Sequence, residues 1–490
     1  MVLFLKKNFV SILIVFISLA LFQKVTWIKE FFGERINYVE VLYNFTVNYD
    51  GIKDVPISFK IEFLQKVLLI PLLFSFFWVF LLEESKKNIL VINFFQIIKK
   101  IKPVSVLLTF FYKLLLNYKV YLIVSIIFYG HKLDFVDFVI VNKDTTINKK
   151  LYVNPNDVNF VDPKIKKNII LLYVESLEYV FRDIDNINSI KKIDAIEGKN
   201  ILNFKEAPAT GFSAAGLISS QCSVPLYPSL SMSMTLLKKK ELVCFSDVLG
   251  NHGYEQAFFI TVPGGFHGFS NFKKNHGYTI YDKIKMVEDG LAEKRLTGWA
   301  KGVQDDDMLK YAKNKIIELH RRKQPFNATI ITTDTHYPYI ISPRCNLAKK
   351  PGAKSHDERT RSYQCTGIFL EKFFNDLKKE GILDNTVVVI MGDHLSSPAK
   401  IDRFPSELDR NIYFKMNTQK KFTRKKMNHY DVAPTLLQEM GFLETHDNRF
   451  GFGVSLFSNN LYDYENHYIK TMDKMIVSDF LINEIFNLSE

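Results

Sequence analysis

Glu175, Asp393, His394 and His336 each lie just beyond an apolar run of the sequence, where oxygen and nitrogen ligands could be brought together. Glu175, Asp393 and His394 offer two hard oxygens and one imidazole, a suitable set for Zn²⁺ or Mn²⁺ with a coordination position left open. His336 adds a group that can transfer a proton. A single acidic residue after a strand usually caps a helix or faces solvent. The prediction of a metal site therefore depends on several segments carrying suitable residues at once.

Two hydroxyl side chains, Thr210 and Ser213, lie in a Gly-containing turn that leads into a helix within residues 208–225. Free backbone N–H groups and the positive end of the helix dipole meet at such a place and favour an anion such as phosphate. A metal with an open position beside the hydroxyl would lower the pKa of that hydroxyl and produce a nucleophile. A serine at the start of a helix is most often only an N-cap. The neighbouring metal-type residues favour the nucleophile interpretation.

The elements that must position these residues alternate between strands and helices. The predicted strands are Asn168–Val174, Gln256–Val262, Ala328–Thr332 and Thr386–Met391. The predicted helices are Asp306–Arg321, Thr366–Leu377 and Tyr430–Met440, the last of which contains Pro434. Continuous apolar strands alternating with helices indicate an α/β domain with a mostly parallel sheet. In such sheets chemistry collects at the carboxyl ends of the strands.

The first 130 residues differ from the rest by their long apolar runs. Residues 8–28 and Phe63–Leu82 are long enough to cross a bilayer, and Pro71 is tolerated inside a membrane helix. A secretory signal peptide is the rival interpretation of the first run. No Ala-x-Ala-like cleavage site follows it, so an uncleaved span is preferred.

The remaining apolar segments before residue 131 leave the number of spans open. Asn88–Ile98 is short and could lie along the interface as an amphipathic helix. Val104–Leu116 and Val120–Tyr129 could form one tilted span or two. With the N-terminus inside and the C-terminal domain outside, the number of spans is odd. Three spans are favoured and five are the alternative.

Composition supports a division into a membrane anchor over residues 1–130, a linker over 131–165 and a soluble domain over 166–490. The chain carries a formal net charge of +12, but many lysines flank apolar segments, as the positive-inside rule predicts. No zinc-finger spacing, RNA-binding motif or arginine-rich arm occurs, which argues against nucleic-acid binding.

Four cysteines occur, all after the apolar region: Cys222, Cys244, Cys345 and Cys365. Four cysteines allow three connectivities, of which the one that pairs sequence neighbours closes two loops of moderate size. Four reduced, buried thiols are the alternative. Beside a membrane anchor, the oxidising side of the membrane is the better interpretation.

Several blocks, in order, resemble the sulfatase-type phosphotransferases of the alkaline phosphatase superfamily. Within that superfamily the sequence is most similar to the phosphoglycerol transferases of periplasmic glucan modification, with lipoteichoic acid synthases and lipid A phosphoethanolamine transferases as more distant relatives. The blocks are Asn168–Ser176, Thr210–Ser213, Gln221–Pro225, Thr333–Pro338 and Gly392–Leu395, together with both cysteine pairs. The resemblance implies an alkaline phosphatase/sulfatase-like fold for the domain that follows the transmembrane helices.

The resemblance also implies roles for single residues. Glu175, Asp393 and His394 match the family's metal ligands, and His336 matches the imidazole that contacts the transferred phosphoryl or the leaving group. The family's nucleophile, usually a threonine in Thr-Gly-x-Thr, falls on Ser213, which would also contact the metal.

Three further residues receive weaker assignments. Thr210 is the alternative to Ser213 as the nucleophile. His267 lies in a Gly-rich loop near the region where relatives contact the donor head group, and it either lines that pocket or only packs. Arg410 either binds an anionic donor or forms a structural salt bridge.

The function implied is transfer of phosphoglycerol or phosphoethanolamine from a phospholipid to a cell-envelope glycan, through a covalent Ser/Thr intermediate. The donor would be phosphatidylglycerol or phosphatidylethanolamine, and one divalent metal would be required. The expected location is the inner (cytoplasmic) membrane, multi-pass, with the catalytic domain in the periplasm. A hydrolase on the same scaffold is one rival, and a non-catalytic membrane scaffold is another. A sulfatase would need a C/S-x-P-x-R context, which does not follow Ser213.

Overall fold

The computed structural model describes residues 2–32, 57–88, 113, 116–133, 151–184, 186–207, 210–226, 242–345, 355–396, 410–443 and 448–459. The chain forms two compact units, one built from helices before residue 141 and one built mainly from the residues after it.

The first unit is helical and strongly apolar. Its helices are α1 (Val2–Phe32), α2 (Ile57–Phe63), α3 (Ile70–Ser85) and α4 (Tyr118–Lys132), and a π-helical stretch, Leu64–Leu69, joins α2 to α3. Two stretches, Phe4–Lys29 and Lys60–Ser85, are long and apolar enough to cross a membrane. Exposed apolar side chains such as Phe9, Leu73 and Phe77 lie on these helices, as expected for helices that face hydrocarbon.

Both predicted spans therefore lie within helices, while the span count stays a prediction. Pro71 lies in the first turn of α3, directly after the π-helical stretch, where a missing N–H is tolerated. The predicted segment Val120–Tyr129 lies inside α4. Asn88–Ile98 and Val104–Leu116 lie almost wholly outside the described residues, as does most of the predicted linker up to residue 150.

The second unit contains a seven-stranded sheet in the order β2-β8-β7-β1-β6-β4-β5. The strands of the unit are β1 (Asn168–Val174), β2 (Lys199–Asn200), β3 (Asn203–Phe204), β4 (Glu255–Ile260), β5 (Thr279–Tyr281), β6 (Phe326–Thr332), β7 (Thr386–Gly392), β8 (Phe414–Met416), β9 (Lys426–Met427), β10 (Arg449–Phe450) and β11 (Gly453–Val454). Strands β7, β1, β6, β4 and β5 run parallel, whereas β8 is antiparallel to both β7 and β2. The mostly parallel α/β sheet is confirmed, with a mixed edge.

Helices cover both faces of this sheet. They are α5 (Lys191–Asp194), α6 (Ser213–Cys222), α7 (Phe245–Asn251), α8 (Phe269–Asn275), α9 (Lys283–Glu288), α10 (Asp305–Arg321), α11 (Ser355–Lys379) and α12 (Val432–Met440). Successive side chains of β1 enter opposite layers: Leu171 packs with the layer of α6 and α12, and Leu172 with that of α10 and α11. A strand buried on both faces reads as a continuous apolar run for this reason.

The predicted elements agree with the observed ones except at some ends. Helix α11 begins at Ser355, whereas the sequence predicted a start at Thr366. The prediction missed the first turns because they are rich in polar residues and carry little apolar periodicity. The predicted helix Tyr430–Met440 consists of a 3₁₀ turn, His429–Asp431, followed by α12. Pro434 lies in the first turn of α12, where no intrahelical partner for its nitrogen is needed.

Both sequence-neighbour disulfides form. Cys222 is bonded to Cys244 and Cys345 to Cys365, and no cysteine is free. Cys222 is the last residue of α6 and Cys345 ends a 3₁₀ turn, so each bond fixes an element that follows a strand.

Candidate active site

The parallel pairing of β1 with β7 brings three predicted metal ligands together. Val174 and Gly392 are register partners at the carboxyl ends of the two strands, so the residues that follow them emerge side by side. Glu175, Asp393 and His394 each direct a ligand atom into one region, with these atoms within 4.8 Å of one another. We refer to these three residues as the strand-end cluster.

The chemistry of the strand-end cluster fits a divalent cation. His394 Nε2 lies 3.4 Å from Glu175 Oε1 and 3.5 Å from Asp393 Oδ2. Asp393 Oδ1 accepts hydrogen bonds from the backbone N–H groups of Ser176 and His394, but buried Oδ2 has no hydrogen-bond partner among the described residues. A buried, unsatisfied carboxylate oxygen is costly unless an ion or another donor completes it.

The imidazole of His394 is held in the orientation of a metal ligand. Its Nδ1 lies 2.8 Å from the carbonyl oxygen of Leu395, which can only accept, so Nδ1 donates. The lone pair of neutral imidazole then lies on Nε2, which faces the two carboxylates.

The charges of the cluster are strongly coupled. Burial and the nearby charge of Glu175 raise the pKa of Asp393 to about 7. Burial opposes ionisation of Glu175, but the charge and hydrogen bond of His394 outweigh it and hold the pKa of Glu175 well below its usual range. Two buried carboxylates beside one imidazole thus favour a positive charge among them.

Ser213 is the hydroxyl that faces the strand-end cluster. It is the first residue of α6, and its Oγ donates to Glu175 Oε2 at 3.0 Å and lies 3.3 Å from His394 Nε2. Thr210 is fully buried, and its Oγ1 donates to the carbonyl oxygen of Ala207 at 2.5 Å. The structure therefore brings Ser213, and not Thr210, into contact with the cluster.

A close approach of α6 to β7 fixes this geometry. A Cβ atom added at Gly216 would lie 2.0 Å from the carbonyl oxygen of Asp393, so only glycine permits the contact. The same carbonyl accepts a hydrogen bond from His429 Nε2 at 2.7 Å. Burial lowers the pKa of His429 to about 3, so this imidazole is neutral. Sequence reasoning missed Gly216 and His429, because neither carries a local signal and both act across long sequence separations.

His336 lies in the turn after β6, against an aromatic side chain that the sequence did not single out. The rings of His336 and Trp299 are 4.3 Å apart between centroids, and Trp299 Nε1 donates to the carbonyl oxygen of Tyr337 at 2.9 Å. The Tyr337–Pro338 peptide bond is cis. His336 is near enough to Glu175 for its charge to lower the pKa of that carboxyl, after the larger effects of burial and His394.

A buried pair of carboxyl groups supports the loop that carries Trp299 and the turn that carries His336. Asp305 accepts hydrogen bonds from the backbone N–H groups of Thr333 and Asp334, and Asp334 accepts one from the backbone N–H of Asp305. Burial raises the pKa of Asp305 to about 7 and that of Asp334 well above its usual range. Each of these carboxyl groups therefore binds a proton more readily than an exposed aspartate does.

Arg410 and His267, which received weaker assignments, are not among the residues for which the structure describes a contact with the strand-end cluster. Arg410 is fully buried and forms an ion pair with Glu178, itself fully buried, and it also donates to the carbonyl oxygen of Ser396. These contacts correspond to the structural salt bridge that the sequence analysis left open for Arg410. His267 lies in a 3₁₀ turn, Phe266–Gly268, and its side chain lies outside the described residues.

A second group of metal-type residues lies at the N-terminus of α7. Cys244, Asp247 and His276 also present ligand atoms within 4.8 Å of one another. We refer to them as the helix-cap cluster. The sulfur of Cys244 is bonded to Cys222, and Asp247 Oδ2 lies 2.7 Å from His276 Nδ1 and accepts from the Cys244 N–H. Its ligand atoms already have protein partners.

A protein family and several known proteins match the part of the chain that contains this site. The sulfatase family model matches residues 167–442, more than half of the chain. Phosphoglycerol transferase I of Shigella flexneri is 28% identical over 310 residues, which cover 61% of this chain and 39% of that protein. Phosphoglycerol transferase I of Escherichia coli strain 55989 matches with the same identity and coverage. The chain thus spans about two fifths of the length of these relatives.

A solved structure shows the same fold. The lipoteichoic acid synthase LtaP of Listeria monocytogenes superposes with a TM-score of 0.52 at 19% identity, covering 65% of this chain and 82% of that one. The alkaline phosphatase/sulfatase-like fold is therefore confirmed.

Proposed function

This chain belongs to the sulfatase family, and from that membership and the geometry of the strand-end cluster we propose that it is a metal-dependent phosphotransferase. It would move phosphoglycerol, or alternatively phosphoethanolamine, from a membrane phospholipid to a hydroxyl of a cell-envelope glycan. One observation carries the proposal: the Ser213 hydroxyl lies 3.0 Å from Glu175 and 3.3 Å from His394, at the point where the cluster's ligand atoms converge.

The strand-end cluster and Ser213 Oγ would hold one divalent cation. The unsatisfied Asp393 Oδ2 and the Nε2 of His394, which faces the two carboxylates, support this assignment, and zinc or manganese suits the two oxygens and one nitrogen. When bound, the cation would lower the pKa of the Ser213 hydroxyl and balance negative charge on the phosphoryl oxygens. The choice of zinc or manganese rests only on the types of ligand atom and is part of the proposal.

Ser213 would act as the nucleophile. Its proton would be released to solvent, because the pKa of Glu175, to which the hydroxyl donates, is held too low for that carboxylate to keep it. The Ser213 oxygen then bonds to the donor phosphorus while the bond from phosphorus to the lipid oxygen breaks, releasing diacylglycerol. The first turn of α6 supplies backbone N–H groups and a positive dipole end that stabilise the anionic phosphoryl group.

His336 would supply the proton for the leaving oxygen and remove one from the acceptor in the second half of the reaction. Its position beside Trp299 supports this role, because the indole packs against the imidazole with 4.3 Å between the ring centroids. In the second half, an acceptor hydroxyl attacks the phosphorus and the bond to Ser213 breaks, which restores the free serine.

The donor and the location follow from three observations taken together. The relatives are named phosphoglycerol transferases, which supports phosphatidylglycerol over phosphatidylethanolamine as the donor lipid. Two helices are long and apolar enough to span a membrane, and both disulfides form, which fits an oxidising compartment. We propose that the protein is a multi-pass inner-membrane protein with the catalytic domain, residues 166–490, in the periplasm.

The experiment that tests this function uses the full chain in detergent or proteoliposomes. Phosphatidylglycerol and phosphatidylethanolamine, each labelled in the head group, are supplied separately with and without a glycan fraction from the cell envelope. We expect diacylglycerol release with one lipid and label on the glycan. If no labelled lipid is consumed under any divalent metal, the proposed function is wrong.

A hydrolase is the second candidate, because water could take the place of the glycan hydroxyl at the same phosphoserine intermediate. The same experiment separates the two. A hydrolase releases the free phospho-head group at an equal rate with and without glycan, whereas a transferase places the label on the glycan.

A further inference from the structure

The face of α6 that contacts the sheet is polar at both ends. Ser213, Gly216, Leu217, Ser220 and Gln221 recur at the spacing of one helical face. In the middle, Gly216 lies against the carbonyl group of Asp393 and Leu217 is buried in the apolar layer, so this contact is made by packing alone. The directional contacts are the hydrogen bonds made by the side chains at the two ends.

Strand β1 supplies a matching pair of groups on one of its faces. Tyr173 and Glu175 are two residues apart and point to the same side of the strand. Tyr173 forms a hydrogen bond to Ser220 Oγ at 2.7 Å, and Glu175 accepts one from Ser213 at 3.0 Å. The position of α6 along β1 therefore sets where the Ser213 hydroxyl meets Glu175.

The far end of α6 is held by a lysine that has no access to solvent. Lys273 of α8 is fully buried, and its Nζ donates to Gln221 Oε1. The amine lies 4.4 Å from the ring centroid of Tyr278, 5.3 Å from that of Phe258 and 5.6 Å from that of Phe272. Three rings thus lie around the amine, which we call the ring cage, and its hydrogen bond goes to a residue of α6.

Placing an amine in this cage carries a desolvation cost, which its hydrogen bond to Gln221 must offset. Burial lowers the pKa of Lys273 well below its usual range, and the charge of Asp247 opposes that effect. A methionine would fill the same volume without the desolvation cost. The described residues that hydrogen-bond Gln221 are Lys273, Tyr173 and Tyr278, at the end of α6 opposite Ser213.

We propose that Lys273 is a positioning residue for Ser213: by holding the Gln221 carboxamide among the three rings, it acts together with the neighbouring Cys222–Cys244 bond to fix the axial position and rotation of α6. This inference rests on the proposed function of Ser213 as the nucleophile. The helix spans ten residues, so a rotation that begins at Gln221 is transmitted through a short, rigid element to Ser213. Misplacement of a nucleophile by about 1 Å can slow a reaction by about 100-fold.

The test compares Lys273→Met, Gln221→Met and the double variant in the full chain. The matched control is Gln256→Met, because Gln256 is buried in the same region and donates to the carbonyl oxygen of His276. Two readouts are taken on folded protein. One is hydrogen exchange of the backbone amides of residues 217–222, and the other is the single-turnover rate of adduct formation on Ser213.

We expect Lys273→Met to speed exchange in α6 and to slow adduct formation by about 10- to 100-fold, with KM for the lipid and metal content unchanged. Gln221→Met should have the same effects as Lys273→Met. The double variant should form the adduct no more slowly than the slower single variant, since both substitutions remove the same hydrogen bond. Gln256→Met should leave both readouts near wild type.

Equal exchange and adduct rates in Lys273→Met and Gln256→Met would overturn the inference. So would additive losses in the double variant. If Lys273→Met fails to fold, the comparison of Gln221→Met with Gln256→Met provides the test. If wild-type protein forms no adduct, the proposed function fails, and the exchange readout still decides whether Lys273 positions α6.

Discussion

The strand-end cluster and the helix-cap cluster contain nearly the same residue types, yet their geometry suits different purposes. Each places three ligand atoms within 4.8 Å. In the helix-cap cluster, the sulfur is in a disulfide and Asp247 pairs with His276 and caps α7. In the strand-end cluster, two carboxylates lie side by side and Asp393 Oδ2 has no hydrogen-bond partner among the described residues. The unsatisfied ligand atom, rather than the residue types, is the reason why we propose a metal at the strand-end cluster and not at the helix-cap cluster.

Location reinforces the difference. The strand-end cluster lies at the carboxyl ends of β1 and β7, where a parallel sheet exposes side chains to ligands. The helix-cap cluster lies at a helix start and ties α7 to the end of α8 through Asp247 and His276. The first should govern activity, and the second should govern stability.

The largest expected effect is the difference in transfer activity between variants of Ser213 and variants of Thr210. Ser213→Ala should lower transfer by roughly 10⁴- to 10⁶-fold, since removal of a covalent nucleophile leaves only binding contributions. Thr210→Val removes a buried hydrogen bond to Ala207 and should cost about 1 kcal/mol of unfolding free energy with little loss of transfer. Head-group transfer assays and thermal unfolding of both variants check this. Retained transfer in Ser213→Ala beside lost transfer in Thr210→Val would reverse the assignment.

The next largest effect is the difference in metal content between a variant of the strand-end cluster and a variant of the helix-cap cluster. Glu175→Gln should weaken metal binding by more than about 100-fold, because loss of a group that only supports a ligand already costs 10- to 100-fold. Asp247→Asn should keep the metal and the activity while lowering the unfolding temperature. Elemental analysis of both purified variants decides between them. A normal metal load in Glu175→Gln would break the distinction between the clusters.

The two disulfides extend the comparison to loops of similar size. The bonded cysteines are 22 and 20 residues apart, so removal of either bond should cost roughly 3 kcal/mol in the chain-entropy model. Replacing Cys222 and Cys244 by alanine should also lower transfer, since that bond fixes the end of α6. Replacing Cys345 and Cys365 should change stability alone. Equal transfer by the two folded double variants would contradict this difference.

The smallest effect concerns the buried carboxyl pair Asp305–Asp334, away from the proposed metal ligands. Both pKa values are raised on folding, so the native state binds more protons than the unfolded state. The pair therefore lowers stability as pH rises from about 4 toward 7. Asp334→Asn should flatten this decline. Chemical unfolding of metal-free wild type and variant across that pH range measures it, and parallel curves would refute the assignment.

The sheet and the convergence of the proposed metal ligands were predictable because their signals are local. The four long strands are continuous apolar runs, and each metal-type residue directly follows one, so the rule for parallel sheets placed Glu175, Asp393 and His394 together. The positions of Gly216, His429 and Trp299 were not predictable, since their importance arises from contacts across distant elements. Arg410 shows the converse, because a suitable residue type near the site is engaged by Glu178.

The central claim is that Ser213 carries the transferred group. Full-length protein is incubated with phosphatidylglycerol and a divalent metal, without acceptor, quenched in acid and digested. Mass spectrometry of the peptide that contains residues 210–213 then locates any adduct. We predict a phosphoglycerol group on Ser213 that disappears when glycan acceptor is added. An adduct on Thr210, or an unmodified peptide while lipid is consumed, would contradict it.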